Sequence, residues 1–344
     1  MKLNMKRTLY IIMLALVAAS CSKSEIIATD SNAISFGEVF VDNITRAATD
    51  PSHTTALLDR FYVYGNVTGG ALLEGGSKGI VNLYKGADVY KESGIWKCNT
   101  VQYWVPECTY DFVAVSDVDV TDPSTGSYNV AVKTNNGLPS TIEYNAVGQK
   151  DLLYATTTGI TTNQTATPST GTDTQGNILP VGFTFSHLLS KVQFTFTNNF
   201  SYDSGVVLKV TDIKITNAAK TGTYTIGATP EWTVKSSFTG GDDVLSFGDT
   251  GEISAGGARG SSSTQCVLIP CEQAFNITFT IKHNKGGNDT DKEITTGNIT
   301  LQKGHFYNFT AELNSGNVEG VVPIDFNITV NSGGWQNSDT EIEY

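Results

Sequence analysis

The sequence is a succession of short runs in which apolar and polar side chains alternate, separated by turn-forming residues. The alternation is clearest at residues 61–64, 110–115 and 192–197. Successive side chains of a β-strand point to opposite faces, so a period of two indicates a strand with one buried face. Long amphipathic helical patterns are nearly absent, and we therefore predict an all-β protein.

Similar runs continue through the second half of the chain. They cover residues 206–210, 213–215, 223–226, 267–269, 275–281, 299–301, 307–313 and 324–330. Apolar sheet faces must be buried against each other, so many short strands predict sandwiches of packed sheets. A chain of 344 residues has room for two such domains at ~100–200 residues each.

The longest polar stretch, residues 156–177, is rich in Thr, Gly, Ser and Gln and lies near the midpoint of the chain. Such a composition is typical of a loop or of a linker between domains. We therefore place the domain boundary at Pro180, between an N-terminal domain of residues 47–180 and a C-terminal domain of residues 181–344.

The N-terminus has the composition of an export signal. A positive start at Lys2, Lys6 and Arg7 precedes an apolar stretch, residues 9–19, that is far shorter than the ~20 residues of a membrane-spanning helix. We interpret residues 1–20 as a signal peptide. The small residues before Cys21 resemble a lipobox, which makes Cys21 the predicted lipid attachment site. An ordinary secretory signal with Cys21 merely nearby is the alternative.

Four further cysteines enter a compartment that permits disulfides. They are Cys98, Cys108, Cys266 and Cys271. Cys98 could pair with Cys108 across a hairpin, and Cys266 with Cys271 around a tight turn, provided that the geometry of a bridge is met. Buried free thiols that act as small apolar side chains are the alternative. Neither spacing is that of a zinc site.

No constellation of catalytic or ligand-binding residues is visible in the sequence. The histidines are widely separated, at His53, His187, His283 and His305. Asp117, Asp119 and Asp122 form a close acidic group without the glycine-turned loop of a calcium site, so we interpret them as a solvated strand end. There is no nucleophile elbow and no phosphate-binding glycine loop. We predict no catalytic residue, no metal and no cofactor, and we do not expect an enzyme.

Charge and aromatic content bear on two other classes of partner, nucleic acids and sugars. The net charge of −12 comes without a basic stripe, so a phosphate backbone would be repelled and no nucleic-acid partner is expected. Four tryptophans lie in or near strand runs and are interpreted as core side chains, although exposed rings would stack on sugars. They are Trp96, Trp104, Trp232 and Trp335.

Several runs, taken in order, resemble the fimbrillin family in its Mfa-like branch. They are residues 57–65, 94–97, 103–106 and 110–115, followed by 151–155, 183–191, 301–310 and a late Trp335. The similarity covers nearly the whole mature chain, and the order of the runs is more specific than any single run. The resemblance implies two tandem transthyretin-like β-sandwich domains and a structural subunit of a surface fibre.

The segment before the first domain is where the resemblance implies maturation. Residues 34–41 are a strand candidate, and a short polar stretch with Arg46 follows. In fimbrillins a trypsin-like protease cuts after an arginine at this place and frees the upstream strand, which implies a lipidated propeptide of residues 21–46 and a new N-terminus at Ala47. The implied groove-filling side chains are Ile34, Phe36, Val39 and Val41. A permanent first strand followed by an exposed loop arginine is the alternative.

A strand near the C-terminus has one apolar face, formed by Ile324, Phe326, Ile328 and Val330. This pattern suits either the last strand of a core or a donor strand for another subunit. In fimbrillin stalk subunits a segment beyond the second domain enters the next subunit. Here residues 336–344 are short and acidic, so stalk, tip and accessory roles all stay open.

The resemblance also implies a location and partners. The protein is expected at the outer membrane as a palmitate-bearing lipoprotein, and then in a fimbrium on the cell surface. Its expected partners are other fimbrial subunits, the maturation protease and, before maturation, the membrane itself; no receptor is indicated. The alternative function is that of a monomeric glycan-binding adhesin lipoprotein at the cell surface.

Metabolic labelling with a palmitate analogue tests the anchor. We expect the wild type to be labelled and the Cys21→Ala variant to be unlabelled, because the lipid would be attached to that cysteine. A Cys98→Ala variant is the control and should keep the label. An unlabelled wild type would contradict the lipoprotein prediction.

Overall fold

The fold is known from a computed structural model that describes residues 32–41, 58–69, 81–116, 118, 130–234, 243–285 and 289–331. Its regular structure is nearly all β, as predicted. The strands of the first half are β1 (Phe36–Val41), β2 (Arg60–Gly69), β3 (Val81–Glu92), β4 (Ile95–Cys98), β5 (Cys108–Val115), β6 (Val130–Asn135), β7 (Leu138–Asn145), β8 (Leu153–Thr161) and β9 (Val181–His187).

The second half adds twelve strands and little helix. They are β10 (Ser190–Asn198), β11 (Val207–Ile215), β12 (Thr221–Thr225), β13 (Glu231–Val234), β14 (Leu245–Gly248), β15 (Ile253–Ser254), β16 (Ala258–Ser261), β17 (Cys266–Leu268), β18 (Glu272–His283), β19 (Thr290–Thr300), β20 (Phe306–Leu313) and β21 (Phe326–Asn331). The helical segments are α1 (Ser315–Val318) and two 3-10 turns, Ala146–Gly148 and Tyr202–Ser204. Within the described residues, no helix is long and apolar enough to cross a membrane.

The first sheet has seven strands in the order β1-β9-β8-β5-β2-β3-β4. Neighbouring strands are antiparallel, except for β1 and β9, which run parallel. Its inner face buries a core that includes Phe61, Phe112, Phe183 and Phe185. The outermost strands β1 and β4 lie near each other, so the sheet curls around this core.

A four-stranded sheet joins the two halves of the chain. Its order is β13-β12-β7-β6, and β7 pairs with β12 from Asn145↔Thr221 to Thr141↔Thr225. This sheet packs on the outer face of the first sheet, in a second core that contains Tyr64, Val113, Tyr144 and Tyr224. The indole Nε1 of Trp232 donates a hydrogen bond of 2.8 Å to the carbonyl of Leu188 in the same region.

The remaining strands form a sandwich of two five-stranded sheets. One sheet has the path β16-β10-β20-β21 with β17 also paired to β10, and the other has the path β14-β11-β18-β19 with β15 also paired to β11. Aromatic rings fill the space between them, among them Phe194, Phe247, Phe279 and Phe309. The edge-to-face contact of Phe194 and Phe247, with centroids 4.8 Å apart, is a favourable geometry for such rings.

The first strand after residue 180 belongs to the first sheet and not to the second sandwich. Strand β9 begins at Val181 and lies between β1 and β8 in the first sheet, because its alternate side chains enter the first core. The second sandwich starts with β10. The boundary at residue 180 and the two transthyretin-like domains stay predictions.

The polar stretch at residues 156–177 was expected to be a loop, and its first part is not one. Residues 156–161 form the end of β8 and pair with β5. Threonine is a good strand former when one face of the strand stays exposed, and Thr156 and Thr161 are exposed. The rest of the stretch makes only isolated bridges, such as Thr162↔Pro168.

Because β7 and β12 pair within one sheet, a substitution that destabilises β12 should also destabilise β7. We expect Tyr224→Ala to lower the free energy of unfolding by roughly 3–5 kcal/mol, as for other large buried rings, since Tyr224 packs on Trp232 and Tyr154. Hydrogen exchange should rise in β7 as well as in β12. Tyr224→Phe keeps the ring and is the control. Faster exchange confined to β12 would contradict this coupling.

Candidate functional site

Strand β1 is one of the two edge strands of the first sheet. Its strand pairing is with β9 alone, from Phe36↔Val181 to Val41↔Phe185, and this pairing is parallel. Parallel pairing is slightly less stable per residue than antiparallel pairing. The register also shifts between Gly37 and Val39, which interrupts the ladder. Strand β1 therefore has backbone pairing on one side only, whereas its neighbour β9 is paired on both sides.

The residues just before β1 attach to a different part of the sheet. The Ile34 amide donates to the Gln102 carbonyl at 2.8 Å, and the Trp104 amide donates to the Asn32 carbonyl at 3.0 Å. One further bond, of 2.8 Å, runs from the Val181 amide to the Ser35 carbonyl. Residues 32–41 thus span the gap between the segment after β4 and strand β9.

The side chains of this segment fill the inside of the sheet. Ile34, Phe36 and Val39 are exposed by only 5%, 5% and 7%, and Val41 packs on the same core while half-buried. Phe36 and Val39 are three positions apart, a spacing that puts side chains on opposite faces of a regular strand. The register shift between them restores the same face. Phe40 points outward and is 46% exposed.

Phe36 is the centre of the contact. Its ring centroid lies 5.3 Å from that of Tyr84 and 5.7 Å from that of Phe112, both edge-to-face, and 5.9 Å from that of Phe183. Trp104 continues the same wall, with its ring on Phe112 at 6.1 Å. We call the surface formed by Tyr84, Trp104, Phe112 and Phe183 the aromatic wall. It would face solvent if β1 left.

The aromatic wall contains two polar atoms without a hydrogen-bond partner in the described structure, the Tyr84 hydroxyl and Trp104 Nε1. Both side chains are buried, with 1% and 3% exposure. Burial raises the pKa of Tyr84, so this hydroxyl stays protonated. The neighbouring Tyr110 differs: its hydroxyl accepts a hydrogen bond from the Val105 amide at 2.6 Å.

The four predicted groove-filling residues are thus brought together, whereas their release stays a prediction. Cys21, Arg46, Ala47 and residues 336–344 lie outside the described residues, as do the acidic group Asp117, Asp119 and Asp122 and Trp335. The sequence had not indicated strand β3 or Tyr84. The alternating pattern of residues 81–90 was the available signal.

The candidate donor residues lie in and just before β21, the outer strand beside β20. Ile324 and Val330 are buried, and Ile328 packs on the same core while half-buried. The ring of Phe326 lies 5.6 Å from that of Phe194. The strand therefore completes the core of its own sandwich here, and its use as a donor stays a prediction.

The four cysteines within the described residues are free thiols: Cys98, Cys108, Cys266 and Cys271. Burial raises the pKa of Cys266 to about 12 and that of Cys271 to about 11, so neither thiol is a ready nucleophile. Among the histidines, His187 lies with Nδ1 2.7 Å from Oδ2 of Asp151. Over the described ranges, no three His, Cys, Asp or Glu side chains are grouped to hold a metal ion.

The tryptophans of the described chain pack as the core interpretation expected. Trp104 is buried. Trp96 is half-buried, with its ring 5.1 Å from that of Phe61 and the Lys91 ammonium over it. Trp232 is half-buried and hydrogen-bonded.

Two phenylalanines of β1 provide a matched test of the packing. Phe36→Ala should lower the free energy of unfolding by roughly 3–5 kcal/mol, because it empties a buried ring site. Phe40→Ala, on the exposed face of the same strand, should change it by about 0.5 kcal/mol or less. Urea denaturation of the two variants measures both. Equal effects would show that β1 does not depend on the aromatic wall.

The chain is similar to known proteins in sequence and in structure. The model of the family described as fimbrillin-like matches residues 45–332. No curated protein sequence matches the chain. A fimbrial protein from Bacteroides vulgatus has a similar crystal structure, with a TM-score of 0.54 and 13% identity over 89% of this chain and 100% of that chain. The fimbrial anchor protein Mfa2 from Porphyromonas gingivalis has a TM-score of 0.35 and 14% identity over 86% of this chain and 97% of that chain.

At such low identity the structural similarity concerns the fold alone. The family model spans most of the chain, and it agrees with the order of runs in the sequence. The resemblance is therefore confirmed, and the chain belongs to the fimbrillin-like family.

Proposed function

We propose that the protein is a structural subunit of a bacterial surface fimbria that assembles by exchanging β1 for a strand of another subunit. The observation that carries this proposal is the position of β1. The strand lies upstream of Arg46 in the chain, and its buried side chains cover the aromatic wall of the first sheet. A cut between Arg46 and Ala47 separates β1 covalently from every other described strand. The rest of the fold stays connected.

Tethering explains why the cut would matter. Before cleavage, the chain connection keeps β1 at a high effective concentration next to its site. After cleavage, β1 is a separate peptide, and a strand from another subunit competes with it on equal terms. The polar sequence around Arg46 is of the kind that proteases cut in exposed segments.

The site left by β1 would strongly favour a new strand. Ile34, Phe36 and Val39 each contribute about 1.5–3 kcal/mol by burial, and their loss exposes the aromatic wall and the free edge of β9. Such an edge pairs readily with any available strand. An incoming strand supplies main-chain hydrogen bonds, and its alternate side chains set the register.

The export signal and Cys21 support the earlier steps of this route. A lipid on Cys21 would hold the precursor at the outer membrane, and cleavage after Arg46 would leave the lipid on the propeptide of residues 21–46. The partners in this scheme are other fimbrial subunits and a trypsin-like protease. The scheme involves no catalytic chemistry of the subunit itself.

The two candidate donor segments are not equal under this proposal. Transfer of β21 to another subunit would take Phe326 and Val330 out of their own core. Residues 336–344 follow that strand in the sequence, so their transfer would leave Phe326 and Val330 in place. We therefore favour residues 336–344 as the donor if the protein is a stalk subunit; a tip or accessory subunit needs only the groove.

A glycan-binding adhesin would need an exposed aromatic platform. Trp104 is buried, and Trp96 and Trp232 are half-buried and packed on other groups. The packing of these three described tryptophans supports the fimbrial subunit over the alternative, although Tyr103 and Tyr202 are exposed.

Replacement of the arginine tests the maturation. We expect Arg46→Ala to leave the N-terminal segment attached and to abolish detergent-resistant ladders, because β1 stays tethered. Arg60→Ala is the control, since Arg60 is an exposed arginine whose ion pair with Asp88 contributes little at the surface. Mass spectrometry of protein from cells should find a species that starts at Ala47 in the wild type and the control. Its absence from the wild type would contradict the maturation.

A further inference from the structure

The aromatic wall is not chemically matched to the strand that fills it. Strand β1 places the hydrocarbon ring of Phe36 against Tyr84, while the Tyr84 hydroxyl and Trp104 Nε1 have no hydrogen-bond partner within the described residues. The large majority of buried side-chain polar atoms in proteins have such a partner. These two exceptions lie on one wall, Tyr84 against Phe36 of β1 and Trp104 against Asn32 just before β1, and they point to a different occupant.

Neither side chain can easily turn away to find a partner elsewhere. Gly65 of β2 makes room for the rings: a Cβ at this position would lie 2.7 Å from Cδ1 of Phe112 and 3.2 Å from Cδ2 of Tyr84. Trp104 is fixed by the ring of Tyr110, whose centroid is 4.7 Å away, and by the hydrogen bond from its backbone amide to the Asn32 carbonyl. The two polar atoms are therefore held in place by packing.

Strand β1 has little to offer these atoms. The inward side chains of β1 and of the residues just before it contain no polar atom: Ile34, Phe36 and Val39. The backbone on either side of Phe36 is directed to β9, through the parallel pairing and the bond from Val181 to Ser35. An indole N–H only donates, and a phenol both donates and accepts, so a side-chain oxygen is the group that can serve either atom.

We propose that Tyr84 and Trp104 recognise the strand that replaces β1, and that this strand carries an oxygen-bearing side chain in the place of Phe36. The inference rests on the proposed strand exchange and specifies the partner: an extended segment of another subunit with apolar side chains and at least one Ser, Thr, Asn or Gln facing the wall. Strand β1 is then a mismatched placeholder, and the matched strand gains hydrogen bonds that β1 cannot make.

The chain itself contains a segment of this chemistry. Along residues 336–344, alternate positions are Gln336, Ser338, Thr340, Ile342 and Tyr344. Oxygen-bearing and apolar side chains would thus share one face of an extended strand. A wholly apolar groove would disfavour this segment, whereas a wall with two unpaired polar atoms suits it. The segment of a second copy is our choice of occupant.

The hydrogen bond can be tested in the full chain without any assembly. Phe36→Gln and Phe36→Met introduce side chains of similar length with and without an oxygen, and each is combined with Tyr84→Phe, which removes only the hydroxyl. We expect the ratio of the folding equilibrium constants of the Gln and Met variants to be about fivefold larger with Tyr84 than with Tyr84→Phe, because one such hydrogen bond stabilises the folded state by about 1 kcal/mol. An equal Gln-to-Met ratio in both backgrounds overturns the proposal.

The second test uses variants close to the natural protein. Tyr84→Phe should fold at least as stably as the wild type, because it removes an unpaired buried hydroxyl. It should also capture a synthetic peptide of residues 336–344 in the matured protein about fivefold more weakly. A loss of stability, or unchanged capture, overturns the role of Tyr84. Trp104→Phe is the corresponding variant for the indole.

The two proposals fail in different ways. If the wild type keeps its N-terminal segment and forms no ladders, the proposed strand exchange is wrong, whatever the Tyr84 variants do. If the wild type matures and assembles while Tyr84→Phe and Trp104→Phe assemble equally well, the exchange stands and the recognition by these two side chains is overturned.

Discussion

The middle of the seven-stranded sheet is buried on both faces, and the rest of the fold is arranged around it. In β2 and β5, Phe61 and Phe112 point to the inner core, while Tyr64 and Val113 point to the core shared with the four-stranded sheet. The inner face is buried because the sheet curls and because β9 and β1 complete it. The outer face is covered by the four-stranded sheet, in which β7 and β12 come from the two halves of the chain.

Strand β1 is the exception within this arrangement. It contributes buried side chains, but its pairing is parallel, interrupted by a register shift and limited to one neighbour. The parallel pair of β10 and β20 is longer, continuous and flanked by other strands on both sides. A strand that fills a core well and is held poorly along its edge is suited to temporary occupancy. The unpaired polar atoms of Tyr84 and Trp104 also make β1 suited to temporary occupancy, because β1 leaves them without a hydrogen-bond partner in the described part of the chain.

Much of the strand pattern could be read from local alternation, and little of the pairing could. The runs at residues 61–64, 110–115 and 192–197 are β2, β5 and β10. The polar residues 156–161 were missed as a strand because threonine-rich segments also occur in loops. The groove-filling residues of β1 were indicated by alternation and family resemblance. The aromatic wall that they contact was not, because Tyr84 comes from a strand far along the sheet.

The sequence alone determined many of the strand segments, the apolar faces of those strands and, through the order of its runs, the resemblance to the family. Those properties are local, since a period of two depends only on neighbouring residues. The tertiary structure decided that β9 lies beside β1, that β7 pairs with β12, and that the Tyr84 hydroxyl and Trp104 Nε1 of the aromatic wall have no hydrogen-bond partner within the described residues. Strand pairing uses backbone groups that every residue carries, so the choice of partner follows from how all the apolar faces are buried together.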